Sequence, residues 1–443
     1  MVLNTFSVGL PHLYALLLCL PTPGQSIVAP VVPDVPFAAI WNVGTNFCQK
    51  KFQINIDLET FDIVANPGQA FKGPNMTIFY SSQLGLYPSY TSDGQPVNGG
   101  LPQNASLNAH LARARQDILA SMPTLGFRGL AVIDWESWRP VWARNGGSKN
   151  IYRERSREMV RAQHPDWYSW WVERKAIEQY EGAAKAFMLD TLKLGVSLRP
   201  QGLWGYYDFP DCYNYNFQSP NYTGQCLPGI EDQNDGLQWM WEESHALYPS
   251  IYLSPKLAGN GHSLLYVRSR VREAFRVAGR TRSSHRHILP YAQIFYENTD
   301  RFLSLEDLES SIGESAAQGT DGIVLWIGWS NYNSKKSCQA IKDYMDTTLG
   351  PFLLNVTSSA HLCSQALCSG HGRCSRRPDH PQAFLFLNPS SFSLRHQPTS
   401  GRLGVEGILT HDARARMASE FECRCYTGWN GEQCELQDDS PSP

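Results

Sequence analysis

The stretch from Gly129 to Trp138 constrains the fold more than any other part of the sequence. It reads Gly-Leu-Ala-Val-Ile-Asp-Trp-Glu-Ser-Trp, an apolar run that ends abruptly in two acids, Asp134 and Glu136. Such a run is typical of a buried parallel strand that reaches the surface at its carboxyl end. Because side chains alternate along a strand, two acids two residues apart are expected to face the same side.

Two carboxyl groups held close together cannot both ionise freely. One of them is therefore expected to keep the proton that a general acid needs. An isolated D-x-E is more often an ordinary strand end whose Asp caps the next helix. The rest of the chain decides between these interpretations.

Short apolar runs alternate with longer amphipathic stretches from about residue 37 to residue 350. Repeated strand–helix units over this length indicate a parallel α/β fold, with a closed (β/α) barrel of the TIM type as the first choice and a doubly wound open sheet as the second. The predicted strands are 37–42, 61–65, 76–81, 129–135, 202–207, 249–253, 288–296 and 322–328. The predicted helices are 107–121, 151–163, 173–194, 233–247, 263–279, 305–317 and 336–348.

Composition and motifs exclude several classes of partner. The formal net charge is only −3, so there is no global field that would attract nucleic acid. The sequence contains neither G-x-G-x-x-G after a strand nor G-x-x-x-x-G-K-[ST]. This argues against dinucleotide or nucleotide binding, and no cofactor or metal is expected.

The N-terminus and the cysteine count indicate the secretory pathway. Residues 13–20 are apolar and precede two prolines and a glycine, which resembles a signal-peptide core with cleavage near Ser26. The run is too short to span a bilayer, and no membrane anchor is expected. Eleven cysteines become ten when Cys19 leaves with this segment, an even number that suits an oxidising compartment. N-glycosylation sequons occur at Asn75, Asn104, Asn221 and Asn355.

Aromatic and acidic side chains recur where the predicted strands end. The chemistry of (β/α) barrels lies at this C-terminal face. Core packing explains any one of these residues better, but together they describe a groove for a polar chain with flat faces, such as a polysaccharide. Arg139 and Arg144 follow the two acids and are expected to meet substrate carboxylates. The other residues near strand ends are Tyr80, Tyr206, Tyr207, Asp208, Asp211, Tyr213, Tyr252, Trp326 and Trp329.

The cysteine spacing changes after residue 355. The pattern C-x4-C-x5-C followed by C-x-C-x8-C resembles an epidermal-growth-factor-like module, and "CSGHGRC" and "CRCYTGWNGEQC" supply the usual glycine and aromatic positions. The resemblance implies the pairings Cys363–Cys374, Cys368–Cys423 and Cys425–Cys434.

An insertion, residues 375–422, replaces the usual short loop of such a module. Its segment "FLFLNPSSFSL" is expected to form a pair of strands. The expected organisation is a signal peptide at 1–26, a catalytic barrel at 27–355, the growth-factor-like module at 356–436 and a polar tail at 437–443.

Together the motifs resemble those of the vertebrate hyaluronidases, and among them the soluble, acid-active lysosomal type. The segments that carry the resemblance include "GLAVIDWESWRP", "YRERSREMVRAQHPDW", "GLWGYYDFPDCYNYNF", "ALYPSIYLSP" and "VLWIGWSN". The resemblance covers nearly the whole mature chain. It implies a distorted (β/α) barrel with an appended growth-factor-like module.

The resemblance also implies roles for individual residues. Glu136 matches the proton donor, and Asp134 matches the acid that shares a proton network with it and orients the substrate acetamido group. Tyr252 matches the residue that bonds the acetamido oxygen. The remaining groove residues implied are Tyr80, Tyr207, Asp211, Arg270 and Trp326, and the implied barrel disulfides are Cys48–Cys338 and Cys212–Cys226.

One departure from the family pattern follows the catalytic strand. Relatives commonly have Asn-Trp-Asp where this chain has Asn145-Gly146-Gly147. A groove aromatic and an acid are therefore missing, which puts the affinity for substrate in question and leaves the chemistry in place.

The expected function is hydrolysis of the β-1,4 linkages of hyaluronan, and secondarily chondroitin, by a monomeric endo-β-N-acetylhexosaminidase that is lysosomal or secreted. Two acids on one flank of a strand cannot attack opposite faces of a sugar ring. The sugar's own acetamido carbonyl is therefore the expected nucleophile, with retention of configuration. The alternative is a catalytically weak glycosaminoglycan-binding or adhesion protein that uses the same groove. The presence of Asp134, Glu136 and Tyr252 favours the enzyme.

Overall fold

The computed structural model describes residues 26–282, 286–397 and 401–438. The predicted signal peptide lies outside the described residues except for Ser26, and so does most of the predicted polar tail. Within the described ranges, no helix has the length and apolar character needed to cross a membrane.

Short parallel strands surround the centre of the molecule. Parallel pairing joins β2, β1, β11 and β10 into one arc and β3, β6 and β7 into another, and β8 pairs with β9. The strands are β1 Ala38–Trp41, β2 Val64–Ala65, β3 Met76–Tyr80, β4 Ser89–Tyr90, β5 Pro96–Val97, β6 Leu130–Asp134, β7 Leu203–Tyr206, β8 Ala246–Leu247, β9 His287–Ile288, β10 Tyr291–Ala292, β11 Gly322–Leu325, β12 Gly372–Arg376, β13 Phe392–His396, β14 Leu403–Gly407, β15 Phe421–Cys425, β16 Trp429–Asn430 and β17 Leu436–Gln437.

Isolated contacts complete the barrel between these arcs. Parallel bridges pair Tyr207 with Tyr248 and Ser250 with Tyr291, so that β8 connects β7 to β10. On the other side, β2 and β3 are not paired through their backbones, and the side-chain amide of Asn66 bridges them. Its Nδ2 donates to the carbonyl of Met76 at 3.0 Å, and its Oδ1 accepts the N–H of Met76 at 3.1 Å. The result is the TIM-barrel-like fold expected from the alternating pattern.

Helices cover the outside of the barrel. The π-helical turns Glu309–Gly313 and Met345–Leu349 join α8 to α9 and α10 to α11. The helices are α1 Asn46–Phe52, α2 Leu107–Ser121, α3 Asn150–Gln163, α4 Ser169–Leu198, α5 Ile230–Asp235, α6 Gln238–Glu243, α7 His262–Ala278, α8 Leu305–Leu308, α9 Glu314–Ala317, α10 Lys335–Tyr344, α11 Gly350–Leu367 and α12 His411–Glu420.

The alternation of β6 determines which side chains enter the barrel. Leu130 and Val132 belong to the cluster inside the barrel, whereas Ala131 and Ile133 pack outward against the helices. The same parity directs Asp134 inward at the carboxyl end of the strand.

Three predicted elements of the second half of the barrel are wrong. The predicted strand 249–253 lies instead at Ala246–Leu247, and the predicted helix 233–247 is two short helices that end at Glu243. Ser244 is extended, and the backbone N–H of His245 donates to the carbonyl of Trp204 at 2.8 Å. Pairing with β7 therefore overrides the local helical pattern. The predicted strand 288–296 is instead two short strands, β9 and β10. Pro290 lies between them and has no N–H to donate to a neighbouring strand.

The C-terminal segment is docked on the barrel by buried ion pairs. Arg373 of β12 donates to Asp321 at 2.9 Å, and Arg376 lies 2.6 Å from the fully buried Glu314. Helix α11 runs across the predicted domain boundary at 355/356. All five predicted disulfides are confirmed: Cys48–Cys338, Cys212–Cys226, Cys363–Cys374, Cys368–Cys423 and Cys425–Cys434.

The insertion 375–422 contains regular structure, although not the expected strand pair. The segment 392–396 forms β13 and pairs antiparallel with β14, whereas 384–387 is irregular. Leu385 is 2% exposed and joins the main core cluster, so the insertion packs on the molecule through its first part.

Candidate active site

The carboxyl end of β6 places the two acids between two tyrosines. Asp134 is the last residue of the strand, and Tyr80 is its partner on β3. On the other side, the N–H of Tyr207 donates to the carbonyl of Ile133 at 3.0 Å. Glu136 follows two residues after Asp134 and is exposed. An exposed carboxyl beside a partly buried one is a suitable arrangement for general acid chemistry at a strand end.

The surroundings of Asp134 favour the retention of one proton by the pair that it forms with Glu136. Burial is the main cause that raises its pKa, and the charge of Glu136 and a side-chain hydrogen bond with Glu136 add to it. Arg139 opposes this shift only in part. The buried Oδ1 of Asp134 accepts no hydrogen bond from an N–H or hydroxyl donor of the described residues. The structure thus brings the two acids together, as the strand pattern predicted.

Four aromatic side chains line the groove beside these acids. The indole N–H of Trp326 donates to the hydroxyl of Tyr80 at 3.0 Å, and its ring stacks on Tyr252 at 6.1 Å between centroids. Tyr252 in turn lies 6.0 Å from Tyr207. The four predicted groove aromatics therefore form one continuous wall that spans β3, β11, β8 and β7.

The hydroxyl of Tyr252 is a hydrogen-bond donor at any physiological pH. Burial raises its pKa well above the ordinary value, with Tyr207 and Asp134 among the further causes. A neutral phenol near the acids can donate to a substrate oxygen without adding charge.

The predicted role of Arg139 needs a correction. Its guanidinium is 6% exposed and forms an ion pair with Asp208, another buried residue at the end of β7. It also lies over the ring of Phe209. Burial requires such a pair, because an uncompensated charge there would be strongly unfavourable. Arg139 therefore faces the interior and is not free to meet a substrate carboxylate.

Arg144 is likewise turned inward. It is 8% exposed, and it donates to Gln233 at 2.9 Å and to Asn234 at 2.7 Å. The expectation that it meets a ligand carboxylate is corrected for the same reason.

Arg270 and Asp211 form a second buried pair below the groove. Arg270 is 1% exposed, with Nη2 2.9 Å from Asp211 Oδ1, and its Nη1 donates to the carbonyl of Ser250 at 2.8 Å. Asp211 also accepts from the hydroxyl of Tyr215 at 3.1 Å. These contacts hold the loop after β7 against the end of β8, where Tyr252 begins the groove wall. The geometry gives both residues a positioning role.

From the sequence, Asp208 is identified only as a strand-end residue without a role, and Tyr291 is not identified at all. Asp208 has a left-handed backbone conformation, with φ of 63°. Burial raises its pKa, the charge of Asp211 adds to this, and Arg139 and Arg270 oppose it. Tyr291 lies under the groove with its ring 5.2 Å from Tyr207, and its hydroxyl donates to Asn42 at 3.1 Å. The strand-end position of Asp208 was a signal, whereas Tyr291 looked like an ordinary core residue of a strand.

Metal-ligand geometry occurs at one place among the described residues, at Cys226, Glu231 and Glu273. The sulfur of Cys226 is in a disulfide with Cys212, so it is not available as a thiolate ligand.

Comparison with known proteins agrees with this geometry. A family profile described as hyaluronidase matches residues 26–438. Hyaluronidase-1 of Homo sapiens is 59% identical over 421 residues, which are 95% of this chain and 97% of that protein. The hyaluronidase of Crotalus adamanteus is 42% identical over 413 residues, 92% of each chain. The crystal structure of bee venom hyaluronidase in complex with a hyaluronic acid tetramer matches with 34% identity and a TM-score of 0.67, over 72% of this chain and 98% of that chain.

A TIM-like barrel with paired acids at a strand end and an aromatic groove is the architecture of a glycoside hydrolase, and the relatives establish that class for this chain. The chain belongs to the hyaluronidase family.

Proposed function

We propose that this chain hydrolyses the β-1,4 linkages of hyaluronan, with Glu136 as the proton donor. The observation that carries the proposal is the pairing of an exposed Glu136 with a partly buried Asp134 of raised pKa, at the open end of the barrel. The solved relative that holds a hyaluronic acid tetramer supports this choice of substrate.

The first half of the reaction breaks the glycosidic bond. Glu136 gives its proton to the leaving oxygen while the carbonyl oxygen of the substrate's own acetamido group forms a bond to the anomeric carbon. This produces a cyclic oxazolinium-like intermediate and releases one half of the polymer. In this step the one proton that the two acids share is on Glu136, so Asp134 is ionised. Asp134 accepts a hydrogen bond from the acetamido N–H and stabilises the positive charge that develops there, and Tyr252 donates to the acetamido oxygen.

The second half returns the acid to its starting state. Glu136, now ionised, removes a proton from water as the water oxygen attacks the anomeric carbon from the side that the leaving group vacated. The acetamido carbonyl is displaced, and the product keeps the β configuration. Two inversions at one carbon give net retention, and every proton that Glu136 donates it recovers.

The chemistry alone requires a β-N-acetylhexosaminide, which is why we include chondroitin as a second substrate. Chondroitin has the same alternation of hexuronic acid and N-acetylhexosamine and differs at a hydroxyl of the hexosamine. Trp326 and Tyr80 supply flat surfaces for either polymer, and neither of the buried arginines beside the acids selects between them. Gly146 and Gly147 are exposed and add no side chain to the groove, which favours a modest affinity for each bound sugar.

We also propose that the chain functions as a monomer in the secretory pathway, either in lysosomes or outside the cell. Its five disulfides need an oxidising compartment to form.

A reducing-end assay on hyaluronan and on chondroitin, from acid to neutral pH, tests the proposal. We expect turnover on hyaluronan, slower turnover on chondroitin, and a β-configured product in the first spectra recorded by NMR. Binding of hyaluronan without any new reducing ends would favour the alternative of a glycan-binding protein. An initial α-configured product would still show that the chain is an enzyme, but it would refute the participation of the acetamido group.

A further inference from the structure

The hairpin of helices α3 and α4 carries four aromatic side chains that no part of the proposed mechanism uses. We call Trp167, Tyr168, Trp170 and Trp171 the aromatic tip. Their exposed fractions are 37%, 75%, 57% and 43%. Thirteen large apolar side chains of the described residues are exposed, and four of them fall within these five consecutive positions. A contiguous exposed patch of this kind marks an interaction surface.

Packing of the two helices makes the hairpin a rigid support. Val160 of α3 and Val172 of α4 are buried between the helices and the barrel. Arg157 donates to Glu173 at 3.0 Å across the hairpin, and Arg161 donates to Ser169 Oγ at 3.4 Å near its end. The aromatic residues are therefore exposed because the inward positions of α4 are already filled, and not because the segment is unpacked.

The tip stands on the same side of the barrel as the groove. The hydroxyl of Tyr206, at the carboxyl end of β7, donates to the carbonyl of Met188, and Gly195 lies against Trp204 further down the strand. Helix α4 therefore runs antiparallel to β7, and its N-terminus points to the catalytic face. At about 1.5 Å per residue, the nineteen steps from Ser169 to Met188 place the tip about 28 Å along the helix from the end of β7.

Neighbouring rings hold the three tryptophans of the tip in defined orientations. Trp167 stacks on His164 with centroids 3.8 Å apart, and Trp170 stacks on Trp171 at 4.0 Å. The guanidinium of Arg174 lies over Trp171 at 5.9 Å from the ring centroid. Ordered, half-exposed rings offer flat apolar surface at a low cost in side-chain entropy.

The charges around the tip are suited to a polyanion. Arg161 and Arg174 are exposed, and neither forms an ion pair with a carboxylate of the described residues. Among the acids nearby, Asp166 is exposed, whereas Glu158, Glu173 and Glu178 already pair with Arg155, Arg157 and Lys175. Two unpaired guanidinium groups beside flat rings are the combination that binds a chain of sugar rings with regularly spaced carboxylates.

We infer that the aromatic tip is a second binding surface for the same polyanionic polysaccharide, remote from the groove. This inference rests on the proposed function, because that function supplies the polymer. A long chain that occupies the groove and the tip together binds through two linked contacts, which raises the effective affinity without changing the chemical step. A short oligosaccharide that fills only the groove gains nothing from the tip.

An insertion of the tip into a lipid bilayer is the competing interpretation. Interfacial helices combine Trp with Leu or Phe on an apolar face and with a run of basic residues on the other. No exposed large aliphatic side chain lies among residues 167–171, and the exposed Asp166 directly precedes the tip. The polysaccharide is therefore the occupant that the residues favour.

The test compares the full chain with Tyr168→Ala/Trp170→Ala/Trp171→Ala, and separately with Arg161→Gln/Arg174→Gln. Leu125→Ala is the matched control, because Leu125 is 77% exposed before the N-terminal end of β6, on the opposite side of the barrel. We expect KM for high-molar-mass hyaluronan to rise about threefold or more in both tip variants. We expect kcat on the polymer and kcat/KM on a hyaluronan hexasaccharide to stay as in the unmodified chain.

A direct binding measurement keeps the result separate from that of the proposed function. The same tip substitutions are placed in a Glu136→Gln chain, and binding to immobilised hyaluronan is measured. Absence of turnover by the unmodified chain on every substrate refutes the proposed function, whereas this binding assay still decides whether the tip binds the polymer. Unchanged polymer KM and unchanged binding overturn the inference. So does binding to phosphatidylcholine–phosphatidylserine vesicles that the triple substitution abolishes while polymer kinetics stay the same.

Discussion

An aspartate lies at each end of the barrel, and the surroundings of the two carboxyl groups shift their pKa values in opposite directions. Asp134, at the carboxyl end of β6, has a raised pKa, and its buried Oδ1 has no N–H or hydroxyl donor among the described residues. Asp321, directly before the amino end of β11, accepts from Arg373 at 2.9 Å and from the N–H of Ile288 at 2.8 Å, and lies 2.7 Å from His287 Nδ1.

The pKa values follow from these partners. Burial raises the pKa of Asp321, but Arg373, His287 and the N–H of Ile288 outweigh it and bring the pKa down to about 2. Burial at Asp134 is reinforced by Glu136 instead of being opposed. At one end of the barrel, the buried charge of Asp321 stabilises the fold. At the other end, the carboxyl group of Asp134 lies in a poorly solvated position that suits the proposed acid chemistry. Functional sites commonly depart from the rule that buried polar groups are satisfied.

Among the substitutions that test this difference between the two ends of the barrel, we expect Glu136→Gln to have the largest effect. We expect Glu136→Gln to lower kcat on hyaluronan by about 10²–10⁴-fold, because a general acid is lost. The melting temperature should stay the same, since Glu136 is exposed. Near-normal turnover with an unchanged melting temperature would refute the assignment of the proton donor.

The opposite pattern is expected at Asp321. Replacing it with Asn leaves Arg373 buried with a neutral partner, and the free energy of unfolding should fall by about 3–5 kcal/mol. The kcat of the molecules that remain folded should be unchanged, because Asp321 lies at the far end of the barrel. Chemical denaturation and a kinetic assay at low temperature measure the two quantities.

Glu59→Gln is the matched control for Asp321→Asn. Glu59 lies 3.5 Å from Arg402 and is largely exposed, so its loss should change stability by less than about 1 kcal/mol. Equal effects of the two substitutions would remove the distinction between a buried and a surface pair.

Asp134→Asn should reduce activity and increase stability. We expect kcat to fall by about tenfold or more, because the carboxylate that stabilises the developing charge on the acetamido group is gone. A carboxyl group whose pKa is raised on folding destabilises the native state once the pH exceeds the unfolded value of about 3.9. The substitution should therefore raise the free energy of unfolding by about 1–2 kcal/mol at pH 7 and hardly at pH 4. A variant that is less stable than the unmodified chain at pH 7 would contradict the unfavourable environment assigned to Asp134.

The smallest effect is the pH dependence of the unmodified chain. The two acids share a proton that is lost as the pH rises, and burial together with Glu136 raises the pKa of Asp134 to about 8. We therefore expect kcat on saturating hyaluronan to fall by about three- to tenfold as the pH rises from mildly acid to above about 8. The barrel should remain folded at the acid end, because Asp321 loses its stabilising ionisation only as the pH falls through about 2. A kcat that is flat or rises as the pH passes above about 8 would show that the pair does not limit the reaction in this way.

The accuracy of the sequence predictions varied along the chain. Helix 107–121 was predicted with both ends correct, and Ser106 caps it by accepting the N–H of Ala109 at 3.3 Å. Strands β1, β3, β6 and β7 were predicted within two residues, because uninterrupted apolar runs identify buried parallel strands. Helix α11 was missed because Gly350 and Pro351 resemble a helix stop, although proline is well accommodated in a first helical turn.

Within the site, strand periodicity correctly placed Asp134 beside Glu136, and the ends of neighbouring strands correctly gathered the aromatic wall. The positions of the arginines were wrong for a physical reason. Arg139 is 69 residues from Asp208, and Arg144 is 90 residues from Asn234, yet each pair is in contact. Closeness in sequence to the acids says nothing about which distant group will neutralise a buried charge.

The sequence by itself determined the properties that depend on near neighbours. These are the side of β6 from which both acids project, the alternation that builds a barrel, and the family motifs from which Glu136 is proposed as the proton donor. Only the tertiary structure decided which buried charges are compensated, where β8 begins, and how the C-terminal segment is anchored through Arg373 and Arg376. Periodicity and capping act over a few residues of chain, whereas a buried ion pair or a strand register exists only after distant segments have met. The free energy of such contacts therefore cannot be assigned until the fold has brought both partners out of water.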